Sequence, residues 1–352
     1  MRRGLISWSK SELPEAVLDA RVARVQAAMI PAGLDALVVY TIPARTAGVS
    51  WLTGFVPYWN EGLAVVPARG RPVLVSALSN RVKDWIERNA HVELVVSNPR
   101  IGAEAASIVA AHKAKAVIGV VDLKRLPAAL IDALSTGGHD VRDASAAFAG
   151  VRAVADPSEL ALAGAATLIA QRAFECGMAV GDERDAGRLI GVMEGEARRL
   201  GAEEIYPAVA VDLDQRRHLV RLEGPQRLGE RSAVRLSVAY KGVWVRVTRT
   251  LAPGPEVAEV EHRFAAAVAT LPDVAGLRTA MSWLIEGCRT STPLEPLAGS
   301  VIADGTALLP GEIVTVQATF EIDGQPILIG APVLIGRDGV TASQLVPPLR
   351  AE

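Results

Sequence analysis

Hydrophobic positions along the first 150 residues alternate between two spacings. Helical spacing covers 14–32, closed by Gly33, and returns at 82–88, 103–111 and 126–134, where Gly137-Gly138 breaks it. Between these lie short apolar runs that predict strands at 37–40, 63–66, 73–76, 92–96 and 116–121, the second and third joined across 68–71. Helices alternating with strands predict an α/β N-terminal domain. No glycine-rich phosphate loop sits at a strand-to-helix junction, so no nucleotide site is expected.

The pattern changes near 152–157, which sets the predicted domains at 1–152 and 153–352. Asp156-Pro157-Ser158-Glu159 reads as a helix start: Asp at the N-cap, Pro in the first turn, Glu three residues on. The helix that follows places Leu160, Ala163, Leu168 and Phe174 near one face. A second helix is expected from Asp182 to Leu200, closed by Gly201. From Ile205 the chain turns to strands, then to helices expected at about 256–270 and 276–287. The last stretch is β again, with turns at Asp323-Gly324 and Asp338-Gly339. Two helices, strands, two helices, strands suggests a duplicated α+β unit.

Composition narrows the function classes. The 352 residues are 50% hydrophobic with a formal net charge of -2, which gives ample core and no basic footprint for nucleic acid or a membrane surface. No apolar run reaches the ~20 residues a spanning helix needs, and no leader peptide is evident at the start. Cys176 and Cys288 have no metal-ligand spacing and read as reduced thiols. A cytoplasmic protein is expected.

The chemistry centres on RLSVAYKGVWVRVTRT, from Arg235 to Thr250. Strand alternation puts Arg235, Ser237 and Ala239 on one face, and Trp244, Arg246 and Thr248 likewise. Around this hairpin several short motifs stand in order. They are Ser50-Trp51-Leu52-Thr53-Gly54-Phe55, Arg152-Ala153-Val154 with Asp156-Pro157-Ser158-Glu159-Leu160, and Gly201-Ala202-Glu203-Glu204 with Pro207. His218, Gly229-Glu230, Gly242, Thr248-Arg249-Thr250 and Pro310-Gly311 follow. In this order and spacing the chain resembles the pita-bread family of creatinase, prolidase, aminopeptidase P and methionine aminopeptidase. The resemblance covers nearly the whole chain and implies an α+β pita-bread C-terminal domain.

Most members of that family are dinuclear metal hydrolases whose ligands are two aspartates, a histidine and two glutamates. Carried over position by position, the aspartates fall on Arg235 and Arg246 and the glutamates on Gln317 and Gly330. The histidine falls around 284–287, where there is none. A guanidinium has only donors and stays charged, whereas a divalent ion needs anionic oxygens. No metal and no cofactor are therefore expected, and a working metallo-aminopeptidase is not.

Two readings stay open. In one, Arg235 and Arg246 clamp a carboxylate or phosphate of a small anionic or zwitterionic metabolite, with Gln317, Tyr240 and Trp244 as binding contacts. His218 would be the acid/base, since creatinase, as the resemblance implies, breaks a C–N bond without metal through a histidine at this position. In the other, the arginines pair with internal acids such as Glu286 or Glu321, and the chain is a pseudo-peptidase serving as a binding or interaction module. His91, His112, His139 and His262 read as structural. The resemblance further implies a homodimer.

Overall fold

A computed structural model of the chain describes residues 8–43, 45–57, 59–179, 184–252 and 255–271, the backbone of 282–287 and 300–301, and residues 302 and 307–345. Contacts divide the chain into two compact units, one of residues 5–152 and the other of 153–287 and 296–352.

The N-terminal unit holds α1 (Glu15–Met29), β1 (Ala36–Thr41), α2 (Ala47–Thr53), β2 (Gly62–Pro67), β3 (Val73–Ser76) and α3 (Lys83–Arg88). It continues with β4 (Leu94–Ser97), α4 (Ile101–His112), β5 (Val117–Val121), α5 (Ala128–Ser135), β6 (Asp140–Asp143) and α6 (Ser145–Arg152). Its six strands run in the order β4-β3-β2-β1-β5-β6. The β1–β2 and β2–β3 pairs are antiparallel and the β1–β5, β3–β4 and β5–β6 pairs parallel. Both faces are covered. Leu37 and Val39 pack with Leu52 and Phe148 on one side, while Val38 and Val65 pack with Val109 and Leu130 on the other. Burial on both faces explains why these strands read as unbroken apolar runs. The sequence reading did not pick out α2, β6 or α6.

In the C-terminal unit α7 (Pro157–Met178) starts as expected: the Asp156 side chain accepts from the backbone N–H of Glu159 at 2.9 Å, with Pro157 behind it. Leu168 is a correction. It is 54% exposed, and Ala163, Ala166, Ala170, Ala173 and Phe174 form the buried stripe instead. Helix α8 (Ala186–Arg199) is capped by Asp185, whose carboxylate accepts from the N–H groups of Gly187 and Arg188. The expected start at Asp182 lies outside the described residues.

Strands β7 (Glu204–Ala210), β8 (Ser232–Tyr240) and β9 (Val243–Leu251) precede α9 (Pro255–Ala269). Then come β10 (Ser282–Gly287), β11 (Ser300–Val301), β12 (Ile313–Ile322), β13 (Gln325–Ile335) and β14 (Ala342–Gln344). The expected helix at 276–287 is overturned where it can be seen: 282–287 is a strand paired antiparallel with β12. A fourth helix of a duplicated unit is thus absent from the described residues. The sheet order is β11-β10-β12-β13-β9-β8-β7, with β14 beside β13.

One face of this sheet is mostly apolar. Val234, Leu236, Val238, Val245 and Val247 pack on α7 and α8, while Val316, Ala318, Ile329 and Ala331 pack with Val260 and Phe264 of α9. At ~25 cal/mol per Å2 of apolar area withdrawn from water, this face is the main stabilising surface of the unit. None of the described helices is long and apolar enough to cross a membrane.

Candidate functional site

The site is the other face of the C-terminal sheet, and strand register places its residues. Reading straight across the strands, one row runs Ala208, Arg235, Thr248, Gly330, Gln317, Leu284. Next to it runs Tyr206, Ser237, Arg246, and beyond that Glu204, Ala239, Trp244. Every second residue of a strand shares a face, so these rows lie on one surface. Arg235 and Arg246 are diagonal neighbours across β8 and β9, a relation that keeps long side chains within mutual reach. Arg246, Ser237, Thr248, Trp244 and Glu204 are buried; Arg235 and Gln317 are half-buried.

The hairpin that presents the arginines turns at Lys241 (φ 49°) and Gly242 (φ 82°), with Tyr240 paired to Val243. Two successive left-handed residues make a two-residue turn matched to strand twist. The Glu203 carboxylate accepts from the Gly242 N–H at 2.7 Å and holds the turn.

At the centre of the row, Thr248 Oγ1 donates to Gln317 Oε1 at 3.2 Å, bridging β9 and β12 over Gly330 of the strand between them. That closeness favours glycine. A Cβ at 330 would stand 3.1 Å from Thr248 Oγ1 and 3.1 Å from the Val316 carbonyl oxygen. Behind the row, Arg249 points to the apolar face, where its Nη1 donates to the carbonyls of Thr248 (2.8 Å) and Gly330 (2.9 Å). Its Nε lies 3.6 Å from Glu261 of α9. Burial pushes the Arg249 pKa down and the Glu261 pKa up, against their mutual attraction.

Two buried donors on this face, Trp244 Nε1 and Thr315 Oγ1, make no hydrogen bond among the described residues. Thr315 shares the face of Gln317, two residues away on β12. A buried polar group left without a partner costs about 1–3 kcal/mol, which a ligand acceptor can recover. The Trp244 and Tyr206 rings sit 5.9 Å apart and give the face an aromatic end.

The residues singled out from sequence are placed unevenly. Arg235, Arg246, Gln317 and Trp244 share the face. Tyr240 does not: it stands one residue out of phase and packs against the α7–α8 core, with Lys241 Nζ 6.0 Å from its ring. Sequence alternation alone separates Tyr240 from Arg235, and that signal was passed over. Tyr206 and Glu204 were missed because the register between β7 and β8 spans a long connection that no local pattern fixes.

His218 is exposed on that connection. The next residue, Leu219, packs with Leu213 onto Ala210, Ala233 and Leu328. Ala233 and Leu328 lie two residues beyond Arg235 and Gly330, so the loop folds over the same face. Glu321, one of the internal acids expected to take up the arginines, is held by Arg217 instead. The Glu286 side chain lies outside the described residues. His91 and His139 are buried structural groups, the first beside Asp19 and the second accepting from the Ala116 N–H at Nδ1.

Among the described residues no group of three or more His, Cys, Asp or Glu side chains could hold a metal ion. The central row offers two hydrogen-bonding side chains, a glycine and a guanidinium, with no anionic oxygen to offset dehydration of a cation. This donor set does not fit a divalent pair.

The sequence profile of the Creatinase/Prolidase N-terminal domain matches residues 21–154. Against curated protein sequences nothing matches. By structure the chain is similar to the prolidase of Pyrococcus horikoshii (15% identity, TM-score 0.72, covering 94% of this chain and 99% of that one). It is also similar to the X-Pro aminopeptidase of Thermotoga maritima (18%, 0.73, covering 94% and 98%). The N-terminal domain of the FACT complex subunit SPT16 from chickpea, Cicer arietinum, matches as well (13%, 0.62, covering 94% and 96%).

Proposed function

We propose that this chain, whose residues 21–154 match the Creatinase/Prolidase N-terminal domain and whose fold is that of prolidases and X-Pro aminopeptidases, binds a small anionic or zwitterionic molecule on the face of Arg235 and Arg246 and does so without a metal pair. The observation that carries this reading is the central row itself. Arg235, Thr248, Gly330 and Gln317 stand side by side, and the Thr248–Gln317 hydrogen bond fills the space over Gly330. Two guanidinium groups on one partly dehydrated face favour a carboxylate or phosphate, which Arg grips through paired N–H groups.

Calorimetry with succinate and inorganic phosphate as probes tests the idea, alongside elemental analysis of the purified protein. We expect a probe to bind, Arg246→Ala and Arg235→Ala to weaken it about tenfold or more, and no stoichiometric Mn, Co, Zn or Fe. A bound metal, or probe affinity indifferent to both arginines, overturns the proposal.

A second reading adds turnover. Leu219 anchors the His218 loop over the arginine face, which favours a metal-independent hydrolase or lyase with His218 moving the proton. In that reading His218→Ala abolishes turnover and leaves ligand affinity intact. The fold itself does not demand catalysis, since function resides in the site.

A further inference from the structure

The N-terminal unit contains a separate cleft of about 360 Å3 at one end of its sheet, between the last turn of α4 and the β2–β3 turn. Its floor is the apolar trio Val65, Val73 and Val109. Its rim carries charges of both signs, and most of them are already committed. Lys113 is paired with Asp35 at 2.9 Å, and Arg71 with Asp19 at 3.2 Å. Among the described residues no ion pair within 4.0 Å engages the remaining two, Arg69 and Glu93, although Glu93 lies close enough to Arg71 to act on its charge.

We infer that this cleft is a second ligand site, for a small zwitterion with an aliphatic body. Arg69 holds the carboxylate. Glu93 and the carbonyl-rich C-terminal end of α4, which carries partial negative charge, hold the ammonium. The valine floor takes the side chain, and the volume, at the small end for ligand pockets, suits an amino acid or dipeptide. The rim is also built in advance. Gln26 of α1 donates to the carbonyls of Pro67 (3.0 Å) and Gly70 (2.8 Å) and pins the turn that bears Arg69. A fixed rim spares the ligand the ordering cost of a loose one. Nothing in the reading of the arginine face uses these residues.

Calorimetry on the full chain tests the assignment, with L-leucine as the zwitterion, isovalerate as its carboxylate-only analogue and isoamylamine as its amine-only analogue. Leucine should bind in the millimolar range, with each single-charge analogue about tenfold weaker. Arg69→Glu and Glu93→Lys, both exposed substitutions, should each weaken leucine about tenfold or more with an unchanged circular dichroism spectrum. Arg235→Ala should bind leucine like the wild type, so failure of the arginine-face reading is told apart from failure of this one. The inference is overturned if leucine shows no binding up to tens of millimolar, if isovalerate binds as well as leucine, or if both rim variants bind unchanged. It is likewise overturned if Arg235→Ala loses leucine while Arg69→Glu keeps it.

Discussion

The two sheets of this protein solve the same packing problem in different ways. In the N-terminal unit helices cover both faces, so adjacent residues such as Val38 and Val39 are buried in opposite cores. In the C-terminal unit α7, α8 and α9 pack on one apolar face, and the other gathers Arg235, Ser237, Arg246, Thr248 and Gln317 beside the loop anchored by Leu213 and Leu219. A sheet packed on both sides leaves no polar face open, and the cleft described above lies at the strand ends. A sheet packed on one side keeps a continuous surface of fixed side chains. The side chains of the polar face are held in place because the strands beneath them are anchored from behind.

Substitutions can break that contrast. The largest effect is expected from Leu236→Asp, which puts a charge into the α7–α8 core and should cost at least about 4 kcal/mol in chemical denaturation. Its neighbour Ser237→Asp faces Arg246 and should stay within about 1 kcal/mol of wild type. In the N-terminal sheet Val38→Asp and Val39→Asp should be equally ruinous. A tolerated Leu236→Asp would remove the distinction between the two faces.

Arg249→Met sharpens the comparison from behind the site. It strips the Thr248 and Gly330 carbonyls of their donor and leaves Glu261 half-dehydrated and alone, for an expected loss of about 3 kcal/mol near neutral pH. The sign of its pH dependence is fixed. Burial already holds the Glu261 pKa above its ordinary 4.5. A raised carboxyl favours folding below that value and loses its contribution as pH climbs through the folded-state value. Removing the arginine raises it further, so the variant's deficit should shrink in acid. A deficit that grows in acid would refute the burial argument.

The smallest effect belongs to Tyr40 in the N-terminal sheet. Its hydroxyl donates to Glu61 at 2.7 Å, and burial together with that carboxylate pushes its pKa up to about 12 from 10.0. Its contribution is complete below pH 10 and fades as pH rises through about 12. Tyr40→Phe should cost about 1 kcal/mol at neutral pH and should flatten the alkaline limb of the stability profile. An alkaline limb unchanged in that variant would assign the loss to other groups.

Much of this architecture was legible from residues alone. Strand β12 follows from its alternation, β13 from an apolar run, and the turn between them from Asp323-Gly324. The start of α7 follows from Asp156 and Pro157. Segment 282–287 was misread because Trp-Leu-Ile is an apolar run without alternation, which periodicity cannot assign to helix or strand. Leu168 was misplaced because alanines, weak as hydrophobic signals, carry the buried stripe of α7. At the site, Arg235, Arg246, Gln317 and Gly330 were identified by family spacing. The aromatic end at Tyr206 depended on pairing across some twenty residues, which only the folded chain settles.

The tight approach at Gly330 has a consequence for anyone re-engineering this face toward metal binding. A glutamate written in at 330 brings its Cβ to 3.1 Å from both the Thr248 hydroxyl and the Val316 carbonyl oxygen, so those neighbours must give by a few tenths of an ångström. Movement of the Thr248 side chain is the cheaper of the two, and it loosens the bridge to Gln317. A carboxylate at 330 is thus coupled to the threonine on the neighbouring strand.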